Sequence, residues 1–121
     1  MSVEDRIEHL EKEIRYLKNR ISMLIHIADP RRSPFTYLAL EFGLTKEQID
    51  EIYDLMDRTR ESIEKGNPIN STEFEEEVYR IAPSQRGHHH FPEAIVRTLN
   101  EEGKYRDVYE YMKKRGMKLQ S

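Results

Sequence analysis

From residue 3 onward the large apolar side chains fall at Val3, Ile7, Leu10, Ile14, Leu17, Ile21 and Leu24, in alternating steps of four and three. An α-helix turns once every 3.6 residues, so this spacing puts all seven on one stripe. The segment holds no Gly or Pro and is rich in Glu, Lys, Arg and Leu, which favours a single helix over 3–28. Asp29-Pro30 is expected to stop it, because proline drives the preceding residue out of the helical region.

The remaining chain reads as shorter helices bounded by caps and breakers. Ser33-Pro34 supplies an N-cap and a first-turn proline for a helix carrying Phe35, Tyr37, Leu38, Ala39 and Phe42, closed by Gly43. Thr45 with Gln48 forms a capping box for the next helix, whose stripe is Ile49, Ile52, Tyr53 and Met56 and whose end lies near Lys65-Gly66. Asn70 or Ser71 caps a fourth helix through Phe74, Val78 and Ile81, stopped by Pro83. Residues 84–90 read as a loop. Pro92 opens a fifth helix with Ile95, Val96 and Leu99, stopped by Gly103. The last helix is expected over about 104–115, with Tyr105, Val108, Tyr109 and Met112, and Gly116 at its end. No stretch shows strand alternation. The fold class is all-α: one multihelical domain, in which 1–28 is an oligomerising N-terminal helix and 29–121 the multihelical body.

Composition narrows the function. The 121 residues carry 20 Lys+Arg against 23 Asp+Glu, a net charge of −3, which lacks the basic excess of a dedicated nucleic-acid or membrane-surface binder. The absence of cysteine excludes disulfides, thiolate nucleophiles and thiolate metal sites. Apolar runs such as Met23-Leu24-Ile25 are far short of a membrane span, and no basic-then-apolar leader is seen, so the expected compartment is the cytoplasm. No cofactor and no membrane partner are expected.

With Ile7, Ile14 and Ile21 at heptad position a and Val3, Leu10, Leu17 and Leu24 at d, the flanking charges become informative. In a parallel assembly Arg6 faces Glu11 of the neighbouring copy, and Glu13 faces Lys18. The expected partner is the chain itself. Ile at a with Leu at d favours two strands. Arg6-Ile7-Glu8-His9-Leu10-Glu11, however, is similar to an arginine–apolar–x–x–apolar–glutamate pattern of three-stranded coiled coils, so a homotrimer is expected ahead of a homodimer. The competing reading packs the stripe on the chain's own domain. Ile25, Ile27 and Ala28 widen the apolar face near the helix end, where it is expected to leave the seam and join the core.

Four other features bear on chemistry. Ala39, Gly43 and Ile49 match a helix-turn-helix spacing over 35–53, but residues 41–64 hold eight acids and three bases, a net of −5 where phosphates would have to bind. Lys46 and Gln48 are the plausible DNA contacts there. His88-His89-His90 suggests a metal or anion contact, though three adjacent residues point in different directions and would need Glu93, His26 or another subunit to complete a site; no metal is assigned. His9, at an outer position of the first helix, and His26 read as surface or rim residues. Glu73, Glu75, Glu76 and Glu77 favour a helix N-terminal half through its dipole. The end of the chain carries Lys104, Arg106, Lys113, Lys114, Arg115 and Lys118 against Asp107 and Glu110, and is expected to pair with the acidic 41–64 helix, within or between chains.

Arg6-Ile7-Glu8-His9-Leu10-Glu11, Ser33-Pro34-Phe35 with Tyr37, Gly43-Leu44-Thr45-Lys46-Glu47, and Glu102-Gly103 with Tyr105 together resemble the YhaI-like family of Gram-positive bacteria, over roughly residues 3–112. The stretch 30–33 and the His-containing loop depart from it. The resemblance implies a multihelical, intertwined oligomer and no activity. No catalytic residue is assigned: there is no phosphate-cradling glycine loop and no nucleophile–base set, and a His/Glu metal-dependent activity is a distant third. The expected function is a non-enzymatic interaction or regulatory module assembled through its N-terminal helix, with itself and another protein as partners. The alternative is a DNA-binding regulator using 35–53.

Overall fold

The computed structural model describes residues 2–27, 29 and 31–119, with no side-chain description for His26 and Ile27. The regular secondary structure of the described residues is all helical, with no strand. Six α-helices follow in order: α1 (Val3–Ile27), α2 (Pro34–Glu41), α3 (Lys46–Glu64), α4 (Ser71–Ile81), α5 (Phe91–Glu101) and α6 (Arg106–Lys114). The expected stop at Pro30 and the placement expected for His26, Ile27 and Ala28 lie outside the described residues.

Most boundaries follow from local chemistry. Thr45 and Gln48 complete the capping box at α3, each side chain bonding the other's backbone N–H. Asn70, rather than Ser71, caps α4 by accepting from the Glu73 N–H at 2.8 Å. Gly43 ends α2 at φ 65°, in the left-handed region open to glycine, and Leu44 N–H then reaches back to the Ala39 carbonyl.

Three boundaries differ from expectation. Ser33 makes no side-chain cap at α2; the Glu102 carboxylate, at the end of α5, accepts the Phe35 N–H instead. The expected loop at 84–90 begins with a 3₁₀ turn, Pro83–Gln85. The last helix starts at Arg106 rather than 104, because Tyr105 adopts φ 60° and ψ 38°, a left-handed conformation that no α-helix continues through.

The core is built by α2 to α6. α5 lies at its centre, touching α2, α4 and α6, and α3 packs on α4 and α6. Ile95, Val96 and Leu99 of α5 are wholly buried, as are Leu55 and Met56 of α3, Phe74 and Val78 of α4, and Val108 and Met112 of α6. Phe42 meets Phe91 edge-on at 5.2 Å, and Phe35 meets Tyr53 edge-on at 5.6 Å, joining α2 to α5 and α3. Behind α6 the chain folds back, burying Met117 and Leu119 against this core. Among the described residues no side chain of α1 belongs to the core; the helix touches α2, and Ile25 is half-buried.

Candidate functional site

α1 is a helix that its own sequence can sustain. Ser2 and Asp5 cap its start reciprocally, with Ser2 Oγ accepting the Asp5 N–H at 3.1 Å. Along its length Glu8 pairs with Lys12 and His9 with Glu13, each one turn apart at 3.7 Å. Arg20 donates to the Tyr16 hydroxyl at 3.0 Å and lies over that ring.

The stripe on this helix is uncovered. Val3, Ile7, Leu10, Ile14, Leu17, Ile21 and Leu24 are between 47 and 71 % exposed. These are all seven seam residues read from the sequence, and the structure keeps them on one open face. The four register residues, Arg6, Glu11, Glu13 and Lys18, are exposed beside it. Among the described residues, Arg6, Glu11 and Lys18 take no intrachain ion pair, while Glu13 meets only His9. Two further exposed side chains, Tyr16 and Met23, stand off the seam at 59 and 67 % exposure. The reading of the sequence passed over them, although they share a seven-residue spacing with His9.

The turn expected between α2 and α3 is present at Gly43, and Ala39 before it is buried. Its chemistry does not suit DNA. Glu47, Asp50, Asp54, Asp57, Glu61 and Glu64 recur at steps of three or four and lie on the solvent face of α3. Gln48 is consumed internally: its Oε1 accepts the Thr45 N–H, and its Nε2 donates to the Ile81 carbonyl at 3.2 Å. Of the two DNA contacts read from the sequence, only Lys46 points outward.

The three histidines diverge. The His88 ring packs edge-on against Phe42 at 5.3 Å, and its carbonyl accepts the Tyr79 hydroxyl. His90 Nδ1 lies 2.9 Å from Glu93. His89 stays exposed at the rim of a cleft of about 440 Å³ between α2 and α5. Among the described residues no group of three or more His, Asp or Glu side chains is arranged to hold a metal.

The acidic run in α4 is tied up in structure. Glu73 closes the Asn70 cap, Glu77 meets Arg80 and Arg58, and Glu76 lies 3.9 Å from Arg86. Glu75 faces Glu93; burial, with Glu93 and Glu76 adding to it, lifts its carboxyl above the usual range. Between α3 and α6 the ion pair runs opposite to the charges expected of each helix. Arg60 of α3 grips Asp107 of α6 through two nitrogens, at 2.9 and 3.1 Å. Burial alone would raise the Asp107 carboxyl. The hydrogen bond from Arg60, with those from the backbone N–H groups of Val108 and Asp107, outweighs it and holds the group below its ordinary value.

No helix among the described residues is long and apolar enough to cross a membrane. Compared with known protein families, curated proteins and solved structures, the chain matches none. The likeness to the YhaI-like family therefore stands on the sequence motifs alone.

Proposed function

We propose that this protein is a self-assembling, non-enzymatic interaction module, in which α1 of one copy pairs in parallel with α1 of its neighbours. One observation carries this reading: seven large aliphatic side chains form an open stripe on α1, while α2 to α6 close a core without them. Fully burying a Val, Leu or Ile is worth about 1.5–3 kcal/mol, so the half of each that remains exposed offers about 1 kcal/mol. Over the stripe this comes to roughly 5–10 kcal/mol per chain, enough to offset the entropy lost on association.

Charge supports the parallel arrangement. Arg6 would face Glu11 of the next copy, and Glu13 would face Lys18; each such pair adds at most about 1 kcal/mol, but all of them favour one register. Three copies are favoured over two by the Arg6-to-Glu11 pattern, where the arginine stem can lie along the seam while its head meets the glutamate.

Light scattering on a sizing column tests the proposal. A mass of three chains, or of two, supports it and sets the strand number. Ile14→Asp places like charges in the seam and should reduce the mass to one chain, with the helical circular dichroism of the body retained. A wild-type mass of one chain at all concentrations overturns it.

A further inference from the structure

The C-terminal end of the chain offers a second surface. Lys113, Lys114, Arg115 and Lys118 are exposed, and among the described residues none of them takes an ion pair within the chain. Lys118 is held outward because Met117 and Leu119, on either side of it, turn into the core. The aromatic residues nearby are already engaged. The Tyr109 hydroxyl donates to the Leu119 carbonyl, Lys113 lies over the Tyr109 ring at 5.8 Å, and Arg115 covers Tyr111 at 5.2 Å. Tyr109 is buried and Arg115 covers one face of the half-buried Tyr111, which leaves little ring surface for a nucleobase to stack on and favours a protein carboxylate over single-stranded nucleic acid.

The same chain carries the complement. At the N-terminal half of α3, Glu47, Asp50 and Glu51 are exposed, with no intrachain ion pair among the described residues, whereas Asp54 and Glu61 further along are paired with Arg58 and Lys65. Within one chain the two helices meet through Arg60 and Asp107, so the basic end of α6 is not neutralised by its own α3.

We propose that Lys113, Lys114, Arg115 and Lys118 of one copy dock on Glu47, Asp50 and Glu51 of the next copy in the α1-held assembly. This rests on the self-assembly reading above. Each exposed ion pair is weak alone and screened by salt. Joining the bodies through α1 raises their mutual concentration to about the millimolar range, where a weak contact becomes populated. A contact between two different faces closes into a ring under rotational symmetry, and three bodies at one end of a parallel seam have that symmetry.

The experiment mixes ¹⁴N- and ¹⁵N-labelled full-length protein in urea, refolds it, and measures the mass by light scattering. A zero-length carbodiimide then joins amines to carboxylates, and mass spectrometry sorts the linked peptides by label. The expected result, at about 20 mM salt where screening is weak, is links from Lys113, Lys114 or Lys118 to Glu47, Asp50 or Glu51 that join differently labelled chains. At about 1 M salt, where the Debye length falls to about 3 Å, these links should drop at least about fivefold while the mass is unchanged. An oligomeric mass with only same-label links at these residues overturns this contact and leaves the α1 seam standing. A mass of one chain overturns both. Retention of mixed-sequence DNA at low salt that is lost in Lys113→Glu/Lys114→Glu, without mixed-label links, also overturns it and assigns the face to nucleic acid.

Discussion

Glu102, at the end of α5, accepts the backbone N–H of Phe35 at 2.7 Å and so caps α2 across 67 residues of chain. The first turn of a helix has N–H groups with no internal partner, and a carboxylate there also meets the positive end of the helix dipole. Ser33, at the usual capping position, makes no such bond. Glu102→Ala should therefore cost about 1–2 kcal/mol, the range of a lost cap, while Ser33→Ala should stay within about 0.5 kcal/mol. Urea unfolding followed by circular dichroism compares the two; equal losses would return the capping role to Ser33.

Tyr105 sets the start of α6 through a strained backbone and a well-used side chain. Its hydroxyl donates to Asp57 at 2.6 Å, and the Arg60 guanidinium lies 4.5 Å over its ring. Tyr105→Phe removes the bond to a carboxylate and should cost about 1–2 kcal/mol. Tyr105→Gly relieves about 1–2 kcal/mol of left-handed strain but gives up the packing of a large aromatic, worth about 3–5 kcal/mol. With the hydrogen bond to Asp57 also lost, the net change should be a loss of about 3–5 kcal/mol. A stabilised glycine variant in thermal or urea unfolding would show that backbone strain dominates at this position.

Glu75 should make stability fall as pH rises. Its folded-state value lies above the unfolded one, so the stability it contributes is complete at low pH and is lost as pH rises through the folded value. Glu75→Gln removes that loss. The variant should be more stable than the parent by about 0.5 kcal/mol at neutral pH, a figure limited by solvent screening. The difference should vanish near pH 3, below the ordinary glutamate value of about 4.3. Urea midpoints at the two pH values check both the sign and the window.

Removing residues 2–28 should leave a folded body. Among the described residues the core holds no side chain from α1, and the contact with α2 is lost. The shortened chain should unfold cooperatively with a midpoint independent of protein concentration. The full-length midpoint should rise with concentration, as mass action requires when folding and assembly are linked. A shortened chain without cooperative unfolding would show that α1 supports the body directly.

The sequence by itself determined what depends on neighbours within about four residues. The Thr45–Gln48 box, the left-handed Gly43 and the apolar stripe of α1 are each written in short spacings, so the six helices and the seven residues of that stripe could be read directly, while the α4 cap stayed open between Asn70 and Ser71. Contacts between distant segments decided the rest. No local pattern pairs Glu102 with Phe35, turns Arg60 toward Asp107 against the helices' overall charge, or folds Met117 and Leu119 back under α6. The α1 stripe shows the division most plainly, because a repeat of three and four serves equally well against the chain's own core or against another copy. The tertiary structure removes the first of these, since α2 to α6 and the tail already fill the core and leave Ile7, Leu10, Ile14, Leu17 and Ile21 open along one face.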